Sequence, residues 1–524
     1  MTVRRVMGIE TEYGILEPGN PYANPMALSA AVVAAYAEIV GVETTSRWDY
    51  DGEDPLADAR GFRLDRAAAD PSQLTDATPD RLDWSLMRRP EPLASAVVTA
   101  RVLSNGARLY VDHAHPEYSS PEVTTPRDAV QWDRAGELIM AAAAEQLARE
   151  PAMPDVALYK NNVDGKGQSY GTHENYLVER AVPFSDIVRY LTPFLVTRQV
   201  LTGAGRVGLG GRSHAAGFQL SQRADYIEND VGLETTFNRP IINTRDEPHA
   251  DRAKYRRLHL IIGDANLFEV ATYLKLGTTS LLLWLLEQGH VPLDLDALSL
   301  ADPVAEVRAV SHDTTLTHLL QLADGRRMTA LDIQRSYLET LSRELHRRGE
   351  VDADTADVID RWASLLDRLG TDPHECAREV EWIAKLQLLS RLRERDGLGW
   401  DDARLQALDL QWSDIRPHKS IYARVAEAQG AERLVAHEDV VAAMTQPPPE
   451  TRAYLRGEAV RRYGPGVAAA GWQSLVLDVP GEEHLLRIPL PEPLSATREH
   501  LAPLLGEAPD VDSFARLLRS RAQP

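Results

Sequence analysis

The sequence predicts an α+β fold of antiparallel strands and clustered helices. Three observations carry that expectation. Short segments alternate with the two-residue period of a strand, longer segments run at helical period, and the two kinds do not alternate regularly as a parallel βαβ sheet requires.

Arg4–Tyr13 alternates so that Val6, Gly8, Glu10 and Glu12 share one strand face. Two carboxylates side by side on such a face need water or a cation. A helix is expected over Ala27–Val40, where small and apolar residues recur without proline. From Thr44 to about Thr99 the composition shifts to Asp, Ala, Arg and Pro, with prolines at Pro55, Pro71, Pro79, Pro90 and Pro92. This reads as a long insertion, at least partly disordered, because it offers little apolar surface against the entropy of ordering. Two islands in it, Arg47-Trp48-Asp49-Tyr50 and Ala59-Arg60-Gly61-Phe62, set an aromatic beside charges and can dock on a surface; a solvated tether with incidental aromatics is the default.

Val97–Val111 follows as a strand or hairpin turning at Asn105-Gly106, with Arg108, Tyr110 and Asp112 on one face. A helix over 125–149 is well signalled: Thr125 can cap, Pro126 sits at the first helical position, and Asp128 completes a capping-box-like pattern. Further helices are expected at Leu267–Glu287, Thr329–Arg348, Thr355–Leu369 and Arg378–Glu394, and β-like pieces at Val156–Tyr159 and Leu258–Ile262. Pro447-Pro448-Pro449 marks a linker, which divides the chain into a large unit at 1–449 and a small C-terminal domain at 450–524 with β-like runs at Leu475–Val479 and Leu485–Ile488.

Among 524 residues, 57 Lys and Arg face 78 Asp and Glu, a formal charge of −21. That balance argues against a nucleic-acid-coating protein, since phosphate binding relies on Lys and Arg. The lone cysteine, Cys376, excludes an internal disulfide and a cysteine-based zinc or iron–sulfur site. A reducing cytoplasm is the expected home, because Glu10 and Glu12 interrupt any signal-like stretch and the apolar run Leu281–Leu286 is too short for a membrane.

Gly203-Ala-Gly205-Arg-Val-Gly208 matches the dinucleotide fingerprint on paper, but the glycine-rich sequence after it cannot open the required helix, so a loop near a ligand is expected. Asn161–Gly171 lacks Walker spacing. The acidic strand faces say more. Glu10, Glu12, Tyr110, Asp112 and Glu117 make a bowl of hard oxygen donors, which suits magnesium with nucleotide phosphates. Each carboxylate alone fits an ordinary solvated sheet residue; their concentration on short strands bounded by turns favours the cation. His173 and His259 offer imidazoles nearby in sequence pattern, and Arg257 can neutralise phosphate.

These residues also carry a resemblance. Gly8-Ile-Glu10-Thr-Glu12-Tyr-Gly14, Asn105-Gly-Ala-Arg108-Leu-Tyr110-Val-Asp112, His115-Pro-Glu117-Tyr, Lys160-Asn-Asn-Val-Asp-Gly-Lys-Gly, His173-Glu-Asn-Tyr176, Asn243-Thr-Arg245-Asp-Glu-Pro-His249 and Gly263-Asp-Ala-Asn266 closely resemble the pupylation enzymes. That family comprises a ligase and a deamidase/depupylase of the small protein Pup and is related to glutamine synthetase and glutamate–cysteine ligase. Between the two, the long insertion with Arg47-Trp48-Asp49-Tyr50 and Pro55–Phe62, together with the short Val111–Glu117 hairpin, resembles the deamidase/depupylase branch.

The resemblance implies a glutamine-synthetase-like curved antiparallel sheet packed with helices, cradling ATP and Mg²⁺. It implies Glu10, Tyr110 and Glu117 as metal ligands, with Glu12, His173 and His259 around the metals, Arg108, Ser120, Arg223 and Arg245 near phosphate, and Trp472 against the adenine. The implied reaction is hydrolysis of a side-chain amide at the C-terminal Gln of Pup, or of the isopeptide joining Pup to a substrate lysine. Asp112 is the pivotal group, as nucleophile or as general base for water. Pup and pupylated proteins are the implied partners, with no nucleic acid and no membrane. An ATP-consuming Pup–protein ligase and a non-catalytic Pup-binding scaffold stand as alternatives. Pup is itself acidic in this family, so a docking groove with basic spots is expected, drawn from Arg198, Arg206, Arg212, Arg252, Lys254 and Arg256.

Overall fold

The computed structural model describes residues 2–39, 46–66, 69, 100–150, 153, 155–164 and 167–522. At its centre lies a six-stranded sheet, every neighbouring pair antiparallel. Its spatial order is Tyr255–Leu260, Thr172–Glu179, Met7–Glu12, His115–Ser119, Arg108–Asp112, Ala100–Val102. Alternation gives the sheet two unlike faces. Met7, Ile9, Tyr118, Tyr176, Val178, Leu258 and Leu260 are buried on one, against the helical core. The other collects the polar residues described below.

The expected mixture of antiparallel strands and helices is the one observed. Pro126–Arg149 forms a 24-residue helix whose Thr125 hydroxyl accepts from the Asp128 amide at 3.0 Å. Glu269–Glu287 is buried all round, so the Leu281–Leu286 run is a core segment. Ala330–Arg348 opens on a reciprocal Thr329/Asp332 capping box and ends at Gly349, whose φ of 68° suits glycine. Among the described residues no helix is long and apolar enough to cross a membrane. The Asn105-Gly106 turn forms as expected, with Gly106 at φ 82°; residues 97–99 of that expected strand lie outside the described residues.

Two expectations change. The glycine-rich segment after Gly203 is not a loop: Arg206–Leu209 and Ala215–Gln219 pair as an antiparallel hairpin, with Gly210 at φ 80° in its turn and Gly208 at φ 94° inside the first strand. The tether reading fails for 46–66. Trp48 and Leu56 are buried. Arg47–Trp48 adds to a sheet with Val467–Ala470, Ser474–Leu477 and Leu486–Pro489, while the Ala59 amide donates to the Thr244 carbonyl at 2.7 Å. The rest of the insertion, 44–45, 67–68 and 70–99, lies outside the described residues.

Trp48 thus joins a second apolar cluster with Tyr454, Leu475, Leu504 and Phe514 of the C-terminal segment. That cluster is tied to the central sheet by Glu122, which accepts from both Arg452 and Arg456 and is held at a pKa of about 2, the two guanidiniums outweighing burial.

Replacing Thr125 by Ala removes the side-chain acceptor of the 24-residue helix. Urea denaturation is expected to show a loss of about 1 kcal/mol at unchanged m-value.

Candidate active site

Register assembles the site. Glu10 pairs with His173 on one side and Ser119 on the other, and Ser119 pairs with Arg108. Glu12 pairs with Glu117, which pairs with Tyr110; Asp112 pairs with His115; His259 pairs with Asn175. Directly opposed residues share a sheet face, so all of these point to the side away from the helical core. There all but Asn175, which faces a narrower adjoining pocket, line an open cleft of about 1590 Å³, together with Arg223, Arg239, Arg245 and Trp472.

Two clusters of donors form in the cleft. Glu12, Asp112 and Glu117 bring carboxylate oxygens within 4.8 Å of one another, and Glu10, His173 and His259 do the same with one oxygen and two nitrogens. His173 Nδ1 lies 3.0 Å from Glu10 Oε2. His259 Nδ1 lies 3.0 Å from Asn175 Oδ1, which also accepts from Arg257 at 2.8 Å. With Asn175 Oδ1 an acceptor, Nδ1 of His259 carries the proton and Nε2 keeps its lone pair.

The charges are unequally supported. Glu10 is buried, which by itself raises its pKa, yet the His173 hydrogen bond and the Arg257 and Arg245 guanidiniums hold it below the ordinary carboxylate value. For Asp112 the same opposition to burial comes from His113, whose Nδ1 is 2.9 Å away, and from His173 and Arg108. For Glu117 burial is opposed only weakly, by a Tyr110 hydrogen bond. Burial, then the charges of Asp112, Glu12 and Glu10, push its carboxyl well up, and its Oε1 finds no hydrogen-bond partner. Burial, followed by the Arg257 charge, pushes His259 well down.

Cations flank the acids. Arg108 is half-buried beneath Tyr110, its guanidinium 3.8 Å from that ring. Arg223 lies beside Arg239 and is pushed down to about 9 by burial and by that neighbour. The Nε atoms of Arg108, Arg223 and Arg245 are buried without a hydrogen-bond partner. Ser120 accepts from the Ile9 amide at 2.9 Å and faces a narrower pocket that opens beside Trp472 and His249.

The structure therefore brings Glu10, Glu12, Arg108, Tyr110, Asp112, Glu117, His173, Arg223, Arg245, His259 and Trp472 to one cleft, with Ser120 at its adjoining pocket. It does not bring the expected docking arginines to a groove. Arg198 is buried in a bidentate pair with Glu174 at 2.6 and 2.9 Å, and Arg206 is buried against Gly210 and Ser213. Arg256 is buried as well. Arg212, Arg252 and Lys254 remain exposed. Sequence reasoning left Asn175, His113, Trp48 and Tyr50 without a role; Asn175 was legible, because it stands two residues from His173 on the same face.

A family described as Pup-ligase protein matches residues 5–476 of this chain. The chain belongs to that family. Within it, the chain is 54% identical to a protein of Acidothermus cellulolyticus named depupylase, covering 96% of this chain and 97% of that one. It is 50% identical to the Pup deamidase/depupylase of Mycobacterium tuberculosis, over 98% of each. Among solved structures it resembles the Pup ligase PafA in complex with ADP, with a TM-score of 0.69 at 37% identity, covering 78% of this chain and 90% of that one.

The metal-free Pup-ligase family fold carries an electrostatic penalty at Glu117. Its folded-state pKa is raised, so the wild type loses stability as pH rises from the unfolded-state value through the folded one. Thermal melts in chelator are expected to show Glu117→Gln more stable than wild type at pH 8, with the gap closing as pH falls; a gap independent of pH would contradict this.

Proposed function

We propose that this chain is an ATP- and Mg²⁺-dependent Pup deamidase/depupylase. It converts the C-terminal Gln of Pup to Glu and cleaves the isopeptide between Pup and substrate lysines. The names of its relatives at 50–54% identity support the activity, and one geometric observation carries the chemistry: Asp112, its carboxyl held below the ordinary pKa and half-open to the cleft, stands in a trio of carboxylates, and Arg108, Arg223 and Arg245 line the same cleft.

The residues present fit the cofactors. The oxygen trio of Glu12, Asp112 and Glu117 is the hard donor set magnesium prefers, and the orphaned Glu117 oxygen asks for a cation. Glu10, Tyr110, His173 and His259 complete the proposed metal-holding set. Arg108, Ser120, Arg223 and Arg245 would meet the phosphates and Trp472 the adenine ring; the buried Nε atoms of Arg108 and Arg223, which have no hydrogen-bond partner, are ready for anionic oxygens. The proposed catalytic unit is 1–449 and the small C-terminal domain 450–524, in a cytoplasmic protein.

Magnesium, held by these donors and by the nucleotide's phosphates, would supply the positive charge that polarises the scissile carbonyl oxygen. The rest is done by the chain. Asp112 either attacks the amide carbon, expelling the protonated amine and leaving an anhydride that water opens, or takes a proton from a water that attacks that carbon; His113 holds one of its oxygens. The products are the glutamate form of Pup and either ammonia or a free lysine amine.

Asp112→Asn keeps the size but removes the base and nucleophile. Ammonia release from glutamine-ended Pup is expected to fall about 10²–10⁴-fold while nucleotide binding persists. Full retained turnover would sink the assignment, and stoichiometric ADP with net Pup–lysine conjugation by the wild type would replace it with a ligase.

A further inference from the structure

Arg108 is an unusual cation. It is half-buried in the cleft, its Nε is buried without a hydrogen-bond partner, and among the described residues no carboxylate forms an ion pair with it. Aromatic rings hold it instead. Its guanidinium carbon lies 3.8 Å from the Tyr110 ring, 4.5 Å from Trp48 and 5.3 Å from Tyr50, and one of its nitrogens donates to the Tyr50 hydroxyl at 3.1 Å. Two of the three rings come from the insertion.

Those two rings are themselves fixed. Trp48 is strand-paired with Ala470, and its indole N–H donates to Glu53 at 2.8 Å. The same indole meets Trp472 edge-on, with centroids 4.9 Å apart. One side chain therefore touches both the cation proposed for phosphate and the ring proposed for adenine. A carboxylate partner for Arg108 would compete with phosphate; an aromatic cage orders the guanidinium and leaves its charge uncompensated.

We infer that the first stretch of the insertion, residues 46–53, is a wall of the nucleotide site, in which Trp48 and Tyr50 are positioning residues that hold Arg108 aimed at the phosphates of a nucleoside triphosphate. The inference rests on the proposed function for the identity of the anion. It assigns the insertion a part in nucleotide affinity, separate from any contact with Pup.

Titration of the full-length protein with a fluorescent methylanthraniloyl-ATP in excess magnesium tests it, alongside melting curves without nucleotide. Trp48→Leu, which removes the ring, is expected to weaken binding roughly tenfold, and Trp48→Phe by no more than about twofold. KM for ATP should rise with kcat for Pup deamidation unchanged at saturating ATP. Arg108→Lys should weaken binding at least as much as Trp48→Leu, and the double variant no further than Arg108→Lys alone. Should Trp48→Leu fail to fold, the Tyr50→Phe and Arg108→Lys cycle is read in the same way, with a smaller expected loss of about threefold. Wild-type affinity in both Trp48→Leu and Tyr50→Phe, or losses that multiply in full with that of Arg108→Lys, overturns the inference. Wild-type affinity in Arg108→Lys overturns instead the reading of Arg108 as a phosphate contact.

Discussion

The site depends on one constraint, the two-residue period of an antiparallel sheet read across five neighbouring strands. Once Glu10 is opposite His173 and Ser119, and Glu117 opposite Glu12 and Tyr110, every second residue of each strand is committed to the cleft. The intervening residues, Ile9, Tyr118, Tyr176 and Leu258 among them, are committed to the helical core. A slip of one residue in any strand would put carboxylates into that core and apolar side chains into the cleft. The helical core thus sets the register, and the register sets the chemistry.

That constraint crowds like charges, and the sheet resolves the crowding unequally. Glu10 has an imidazole and two guanidiniums about it, and Asp112 has His113; both stay ionised. Glu117 sits between them, and burial with the charges of Asp112, Glu12 and Glu10 pushes its carboxyl well up against a single Tyr110 hydrogen bond. Carboxylates a few ångströms apart in one cleft therefore have their pKa values pushed in opposite directions by their neighbours, which is how one kind of side chain can serve two roles. The arginines carry the complementary half. Arg223 and Arg239 lie side by side, each lowered by burial, and the pair leaves the cleft with positive charge in search of an anion.

Much of this was legible in the sequence, and the reason is locality. The alternation at Glu10 and Glu12, the cap at Thr125 and the turn at Asn105-Gly106 each depend on residues within a few positions, so each could be read from the chain alone. What was misread depends on distant partners. Arg198 looked available for an acidic partner because Glu174, which neutralises it, is 24 residues away on a strand. Counting apolar residues in 46–66 underestimated its order, since strand addition to Val467–Ala470 and stacking on Arg108 supply what local hydrophobicity does not. Asn175 shows the opposite case: its place on the His173 face was readable, but its role required knowing that His259 stands beside it.

The cleft is also where remote parts of the chain are joined. Trp472 lies under the Arg456 guanidinium, 4.9 Å from its ring, and Arg456 is anchored to Glu122 at the end of the central sheet. A buried triad of this kind contributes little net stability, because desolvating three charges offsets their attraction. Its geometry is specific, however: the Arg452 guanidinium also donates to the His249 carbonyl at 2.6 Å, so one ion cluster fixes the positions of Trp472 and His249 together. A ligand held between the central sheet and Trp472 contacts both pieces, so its binding free energy adds to the docking of the C-terminal segment. Occupancy of the cleft and the packing of the C-terminal segment on the central sheet are consequently linked quantities in this protein.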